Sequence, residues 1–431
     1  MSIYHTGSSE NQSILILRDS PSNEYLFHKI ESEYLYWNKV KYLGDAGNSE
    51  ELWKEVKLSR KLISKKLSLF SNNKIVINYG INDYLQQKLH YLDFNFGAGI
   101  QKEQLLNDID KQNYLTNALM EESIFSSMIE GATTTRVKAK DMLRKGKKPL
   151  NKSEQMILNN YKTIQYISDH KGEDITIEKL FEIHKLVTEN TLEEEKIGVF
   201  RNTNDVLVMN QITGEIVHTP PPFLELKELM NFFCNFFNNN PVEKFTHPIV
   251  KASILHFLIG YIHPFFDGNG RTARALFYWY LLKNGYWLTE YLSISRVILK
   301  SKTQYEKAYI YTEIDEMDVS YFIHYQVKVL TQAFEDLKLY ISKKKKEENK
   351  YVKFLKISNI NERQAQILFW IEEDSNRFFT IKEVETIFCV TNQTARTDIE
   401  ELVQKDFLKK ISINKKSYNY WKGEKFSKTF L

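Results

Sequence analysis

The 431-residue sequence predicts a mainly α-helical protein with one short β-hairpin near its middle and a smaller compact region at its carboxyl end. Three observations carry that expectation. Apolar residues recur at three- and four-residue spacing through most of 112 to 343, the period of helices that bury one stripe. A single stretch in that span, V-L-V-M-N-Q-I-T-G-E-I-V-H at 206 to 218, alternates instead. The run Lys343 to Lys346, then Glu347, Glu348, Asn349 and Lys350, is the sharpest change of composition and reads as a solvated helix end or linker at a domain boundary.

Composition bounds the function classes. A chain of this length holds roughly two to four domains. Hydrophobic residues make up 42% and charged residues 26%, the balance of a globular protein. No apolar run reaches the ~18 residues of a membrane span, so no membrane association is expected. The opening M-S-I-Y-H-T-G-S-S-E-N-Q lacks the basic end and apolar stretch of a secretory signal. The two cysteines, Cys234 and Cys389, lie too far apart to suggest a disulfide framework or metal cluster, and a reducing cytoplasm is expected. A net charge of +4 does not suggest a nucleic-acid coat, although it leaves room for local basic patches.

Residues 1 to 110 mix aromatics and charges. They include a helical pattern at 50 to 62 and no catalytic constellation. From 112 the helical period dominates, in Y-L-T-N-A-L-M-E-E-S-I-F-S-S-M-I-E, in I-E-K-L-F-E-I-H-K-L-V, and from Ile249 to Ile262. The alternating stretch turns at Thr213-Gly214, and Pro220, Pro221 and Pro222 end any strand pairing. Beyond the charge run, helical patterns at 362–371, 380–388 and 391–408 precede a basic, strand-like pair with Asn414-Lys415-Lys416 at its turn. Residues 351 to 431 thereby resemble a winged helix-turn-helix. Its recognition helix would run from Thr391 to Lys405, with Gln393, Thr394 and Arg396 toward a DNA groove. Nine Lys or Arg against five Asp or Glu in 391 to 431 suit phosphate contacts.

The chemistry concentrates at I-H-P-F-F-D-G-N-G-R-T-A-R, residues 262 to 274. The chain has only 16 glycines, yet Gly268 and Gly270 both fall here. Glycines let the backbone curl and aim successive N–H groups into one concavity. The apolar repeat resumes at Ala275-Leu276, so the loop opens a helix whose free N–H groups and dipole favour anions. Asp267 is suited to a divalent cation, since Mg²⁺ takes one or two carboxylates beside phosphate oxygens and water. Arg271 and Arg274, three apart, share a helix face and suit phosphate oxygens. His263 is suited to take the proton from an attacking hydroxyl.

Together these residues spell H-x-F-x-D-G-N-G-R-x-x-R without a departure, and the sequence resembles the Fic (Fido) family, whose signature is that string. Residues 246 to 261 are similar to the family's helix before the motif, I-G-V-F-R at 197 to 201 to its pre-flap segment, and D-V-S-Y-F-I at 318 to 323 to its closing helix. Residues 1 to 110 resemble the family's leader region, and 111 to 343 its catalytic core. The resemblance implies a helical core that transfers AMP from Mg-ATP to a Ser, Thr or Tyr hydroxyl of a protein, releasing pyrophosphate. It implies His263 as general base and Asp267 as Mg²⁺ ligand. Gly268, Asn269 and Gly270 become the phosphate cradle, Arg271 and Arg274 the clamps on the phosphate tail, and Phe265 the loop's anchor. Val217, His218 and Thr219 end a hairpin that resembles the target-pinning flap. The region around Gln304, Tyr305 and Thr312 matches the adenine pocket loosely. S-S-M-I-E-G at 126 to 131 matches the inhibitory signature through Ser126, Glu130 and Gly131, which implies that Glu130 pairs with Arg274. Relatives with that helix are often homodimers, and self-modification is common. The intact Gly270 favours AMP over the phosphate transfer of relatives with lysine there. Transfer of another phosphate-containing group, or a DNA-binding regulator with a nucleotide-sensing core, are the alternatives.

Overall fold

The computed structural model describes residues 21–43, 49–68, 76–98, 108–209, 213–239, 245–357, 359–374, 376–414 and 417–429. The chain divides into two compact units, Met1–Leu337 and Lys338–Leu431.

The first unit begins with helices α1 (Pro21–Glu33), α2 (Trp37–Val40) and α3 (Ser49–Leu62), the antiparallel pair β1 (Lys65–Ser68) and β2 (Val76–Tyr79), and α4 (Asp83–Asp93). Then follow α5 (Asp108–Ile129), α6 (Arg136–Arg144), α7 (Lys152–Asp169), α8 (Ile177–Thr188), the short strands β3 (Val208–Met209) and β4 (Ile216–His218), α9 (Leu226–Asn238), α10 (Pro248–Ile262), α11 (Asn269–Lys283), α12 (Ile294–Lys300) and α13 (Lys302–Ile314). Helix α14 (Ser320–Leu355) crosses the division between the units. The charge run at 343–350 is therefore continuous helix rather than a helix end or linker, because Lys and Glu are good helix formers and propagate a turn already begun. The alternating stretch pairs only at Val208 and Met209 with His218 and Ile216, with a register shift between them, and 210–212 lie outside the described residues.

Helix α10 is apolar on every side and sits at the centre. Ile249, Ile254, Leu258 and Ile262 are all fully buried, and each such side chain contributes about 1.5–3 kcal/mol over leaving it in water. Helix α11 packs beside it through Ala273, Leu276, Phe277 and Tyr280. Outer helices bury one stripe, as α9 does with Leu226, Leu229, Met230, Phe233 and Phe237.

The amino-terminal helices are braced against the corner between α13 and α14. That corner holds two successive non-glycine residues with positive φ, Glu316 (58°) and Met317 (57°). Asn78 brackets it: its N–H donates to the Met317 carbonyl, its carbonyl accepts from Val319 N–H, both at 2.8 Å, and its side chain donates to the Glu316 carbonyl. Arg60, 4% exposed, lies over the Tyr34 ring at 3.7 Å and donates to Glu31, Tyr321 and the Leu35 carbonyl. Tyr34 in turn donates to Asp318 at 2.7 Å.

The second unit contains α15 (Glu362–Glu373), α16 (Ile381–Phe388), α17 (Asn392–Gln404), the antiparallel pair β5 (Leu408–Asn414) and β6 (Ser417–Lys422), and α18 (Glu424–Thr429). Asn361, Thr380 and Thr391 cap the first three helices, and a single antiparallel bridge joins Phe379 to Tyr420. The helical pattern expected to reach 408 stops sooner. Asp406 has φ +57°, and Leu408 opens a strand. Lys415 and Lys416 of the expected turn lie outside the described residues.

Candidate active site

The loop between α10 and α11 owes its shape to two left-handed residues. His263 closes α10 at φ +48°, a conformation costing a non-glycine residue about 1–2 kcal/mol. Arg201, 2% exposed, holds it there: Nε donates to the His263 carbonyl at 2.9 Å, Nη1 to Thr203 at 3.0 Å, and Nη2 to the Pro221 and Ile262 carbonyls. The Arg201 N–H adds a bond to the Pro264 carbonyl at 2.9 Å. At the other end Gly268 has φ +82°, and a Cβ there would lie 2.9 Å from Thr188 Cγ2, so only glycine fits.

Between these points Phe265 is fully buried and stacks on His184 with centroids 3.9 Å apart and planes within 5°. Asn269 braces the same residue, accepting from Phe265 N–H at 2.9 Å and donating to its carbonyl at 2.8 Å. Its side chain thus shapes the cradle. His184 joins three segments: Nδ1 accepts from Gly198 N–H and Nε2 donates to the Asp267 carbonyl, both at 2.9 Å. Burial pushes its pKa down to about 4, so the ring stays neutral in that tautomer.

His263 Nδ1 lies 3.1 Å from the Gly260 carbonyl, an acceptor, so Nδ1 carries the hydrogen and Nε2 presents the lone pair. Burial lowers this pKa too, to about 4, which keeps the ring neutral. The Asp267 carboxylate is 48% exposed; Oδ1 accepts from Gly268 N–H at 2.5 Å and lies 3.9 Å from Arg271 Nη2. No group of three or more His, Cys, Asp or Glu among the described residues forms a metal cage. One open carboxylate beside an anion cradle fits Mg²⁺, which binds through one or two carboxylates and substrate phosphates.

Both arginines are 1% exposed. Arg271 Nη1 donates to the Val187 carbonyl at 2.8 Å, and its Nε has no hydrogen-bond partner among the described residues. Arg274 is engaged by the end of α5. Nε donates to Ser126 Oγ at 2.8 Å, and Nη2 to the Ser126 carbonyl and Glu130 Oε1, both at 2.9 Å. Gly131, at φ +92°, lets the chain leave α5 and hold Glu130 over the cradle. A Cβ on Gly270 would lie 2.1 Å from Glu130 Oε1. Glu122, fully buried on α5, accepts from Ser295 N–H at 3.0 Å and from the Ser293 and Ser295 hydroxyls, fixing α5 to the start of α12.

On the flap, Val217 and Thr219 are exposed, whereas His218 is an anchor. Its Nε2 meets the Tyr261 carbonyl at 2.7 Å and its Nδ1 the Glu313 carboxylate at 2.8 Å. Tyr305 Oη pairs with His256 at 2.9 Å, the Thr312 hydroxyl donates to Ala308, and Gln304 is exposed. Sequence reasoning assigned no role to His184, Arg201, Glu122 or Glu313. A histidine on an apolar helix face was the signal for His184, but its partner Asp267 lies 83 residues away.

Residues 174–281 match the family model described as Fic/DOC family. Over 176 residues the chain is 32% identical to the Protein adenylyltransferase Fic of Nematostella vectensis, a match covering 40% of this chain and 37% of that protein. It is 27% identical over 237 residues to the protein of the same name from Aedes aegypti, covering 52% and 44%. The chain thus spans less than half the length of these relatives. The crystal structure of a Fic family protein from Desulfovibrio desulfuricans G20 covers 79% of this chain and 95% of its own, with TM-score 0.53 and 18% identity, a likeness of fold. The helices on either side of the His263 loop, α10 and α11, thus fall within residues 174–281, the span that is similar to the Fic/DOC family.

Proposed function

We propose that the chain is a self-inhibited protein adenylyltransferase that moves AMP from Mg-ATP to a Ser, Thr or Tyr hydroxyl of a protein. The observation that carries this reading is the orientation of His263, whose Nδ1 faces the Gly260 carbonyl and leaves Nε2 for a proton beside the Gly268–Gly270 helix start. The target oxygen bonds to the α phosphorus, the bond to the bridging oxygen of the β phosphate breaks, pyrophosphate leaves, and the proton goes to His263 Nε2. The first-turn N–H groups of α11 and the Arg271 guanidinium hold phosphate oxygens. Mg²⁺, bound through Asp267, supplies charge neutralisation of the phosphates. The exposed β3–β4 strands receive the target backbone by strand pairing, which leaves the target's identity open. Self-inhibition is supported by Arg274, whose Nε and Nη2 donate to Ser126 and Glu130 where a γ phosphate would need them. Homodimerisation, self-modification and a cytoplasmic setting belong to the same reading.

Intact-mass measurement after incubation with Mg-ATP tests the chemistry. The addition of one AMP is expected, more readily in Glu130→Gly. No adduct in either protein, and none on any offered protein, overturns the reading.

A second reading concerns the carboxyl-terminal unit, as a winged helix-turn-helix that contacts DNA. The favouring observation is the split of α17, with Ala395, Ile399 and Leu402 buried and Gln393 and Arg396 exposed. Thr394 is instead engaged with the cap, its hydroxyl 2.9 Å from that of Thr391. Binding to genomic DNA that weakens steeply with salt is expected. Its absence favours a protein-docking role.

A further inference from the structure

A long, one-sided stretch of positive charge is R-V-K-A-K-D-M-L-R-K-G-K-K-P-L-N-K, residues 136 to 152, which holds eight Lys or Arg against one Asp. It is α6 and the turn into α7, and it follows directly on Glu130-Gly131. Two large aliphatic side chains stand almost bare within it, Val137 at 79% and Leu150 at 81% exposure. Glu154 ties the two segments that carry them together, accepting from the Leu150 N–H at 2.8 Å and pairing with Lys138 at 2.7 Å. Arg144 and Lys148 are exposed, and neither makes an ion pair among the described residues.

Part of this charge grips α5. Arg136 Nε donates to both oxygens of Glu121, at 2.8 and 2.9 Å, and Lys140 Nζ lies 2.5 Å from the same carboxylate. Glu121 is 11% exposed and sits on α5, the helix that leads into Glu130. An incoming carboxylate at α6 therefore competes with Glu121 for its cations and leaves a largely desolvated carboxylate short of them, which is costly.

We propose that residues 136–152 dock an acidic, aliphatic polypeptide segment, and that docking loosens the end of α5 and so lifts Glu130 from Arg274. Charge complementarity selects the acidic partner, and the bare Val137 and Leu150 favour a peptide with apolar side chains over a phosphate backbone, which has none to offer. The second half rests on the reading of Glu130 as inhibitory. Binding and amide exchange are both measured without catalysis, so failure here is distinct from failure of AMP transfer.

The test uses the full chain and a fluorescein-labelled peptide of Glu-Glu-Leu repeats, read by fluorescence anisotropy, with a poly-glutamate peptide and single-stranded DNA of matched charge as comparators. The Glu-Glu-Leu peptide should bind best. Arg144→Glu with Lys148→Glu should weaken it about tenfold or more, a loss on the order of 1.4 kcal/mol, while melting stays unchanged because both side chains are exposed and unpaired. Leu150→Ser should weaken that peptide and leave poly-glutamate unaffected. Bound peptide should speed deuterium uptake at residues 121–130. No binding, or binding indifferent to the charge reversals, overturns the surface. DNA bound as tightly, with Leu150→Ser silent, identifies it as a nucleic-acid surface instead. Binding with unchanged uptake at 121–130 overturns the coupling.

Discussion

Replacing Glu130 by glycine should raise activity, the opposite of most active-site changes. In the structure Glu130 supplies one of three hydrogen bonds to Arg274, and the two to Ser126 remain when it is removed. Its side chain is 32% exposed, so the loss of stability should be about 1 kcal/mol rather than the 3–5 of a fully buried pair. The corresponding drop in melting temperature is about 2–4 °C. The freed guanidinium can give a charge-assisted hydrogen bond to phosphate, on the order of 1.5–3 kcal/mol. Realised in the transition state, that is a gain of about 10- to 150-fold. The assay is the initial rate of label incorporation from ATP labelled at the α phosphate, at saturating Mg-ATP. Glu130→Gly with Arg274→Ala should fall back to the parent's rate or below. A second check needs no catalysis. A Cβ at Gly270 would lie 2.1 Å from Glu130 Oε1, whereas the nearest atom of any other residue is Arg274 Nη1 at 3.3 Å. Gly270→Ala should thus destabilise the parent more than it destabilises Glu130→Gly. A Glu130→Gly protein no faster than the parent would falsify the inhibitory role of this contact.

Four further outcomes follow from the same geometry. His263→Ala should lose about 10²- to 10⁴-fold in transfer with an unchanged fold by circular dichroism; unaltered rates would remove it as the base. Asp267→Asn keeps the acceptor for Gly268 N–H but loses the charge, so half-maximal Mg²⁺ should rise about tenfold or more, and superimposable titrations would rule out the ligand role. Arg201→Lys cannot serve four carbonyls from one ammonium and should cost about 2–4 kcal/mol in denaturant melts while slowing transfer; a silent change would show that the His263 turn holds itself. His184 and His263 both have folded pKa values near 4, below the usual range, so the stability they lend is complete above ~6.5 and lost as pH falls through about 4. Each should steepen the fall by up to ~1.4 kcal/mol per pH unit below ~6.5, and His184→Gln should flatten it; equal slopes would contradict the assignment.

The 263–274 loop was legible because the chemistry proposed for it is local: its glycines, carboxylate, histidine and arginines lie within a dozen residues, and glycine at 268 has a steric reason that sequence alone suggests. Glu130 was readable only through its match to a family signature upstream. The residues that fix the loop were not readable at all. Arg201 and His184 act through carbonyls and N–H groups brought together by folding, and no spacing encodes such partners. The same limit hid the β1–β2 pair, whose second strand bonds through Asn78 alone to Glu316, Met317 and Val319. In the carboxyl-terminal unit the helical pattern ran on to Leu408 because Phe407 and Leu408 are apolar, and only the left-handed Asp406 shows that their burial belongs to a strand start.

The bracket that Asn78 places around the α13–α14 corner bears on how far the helices around the His263 loop are portable. A fragment beginning at residue 111 would keep the whole His263 loop yet strip the hydrogen bonds from Glu316, Met317 and Val319, and leave Asp315 and Asp318 without Lys57 and Tyr34. Helix α13 carries Glu313, the residue that fastens the flap through His218, so the corner's repose sets the flap's. The amino-terminal helices are in this sense a keystone: excised, they would take down an arch whose stones all remain.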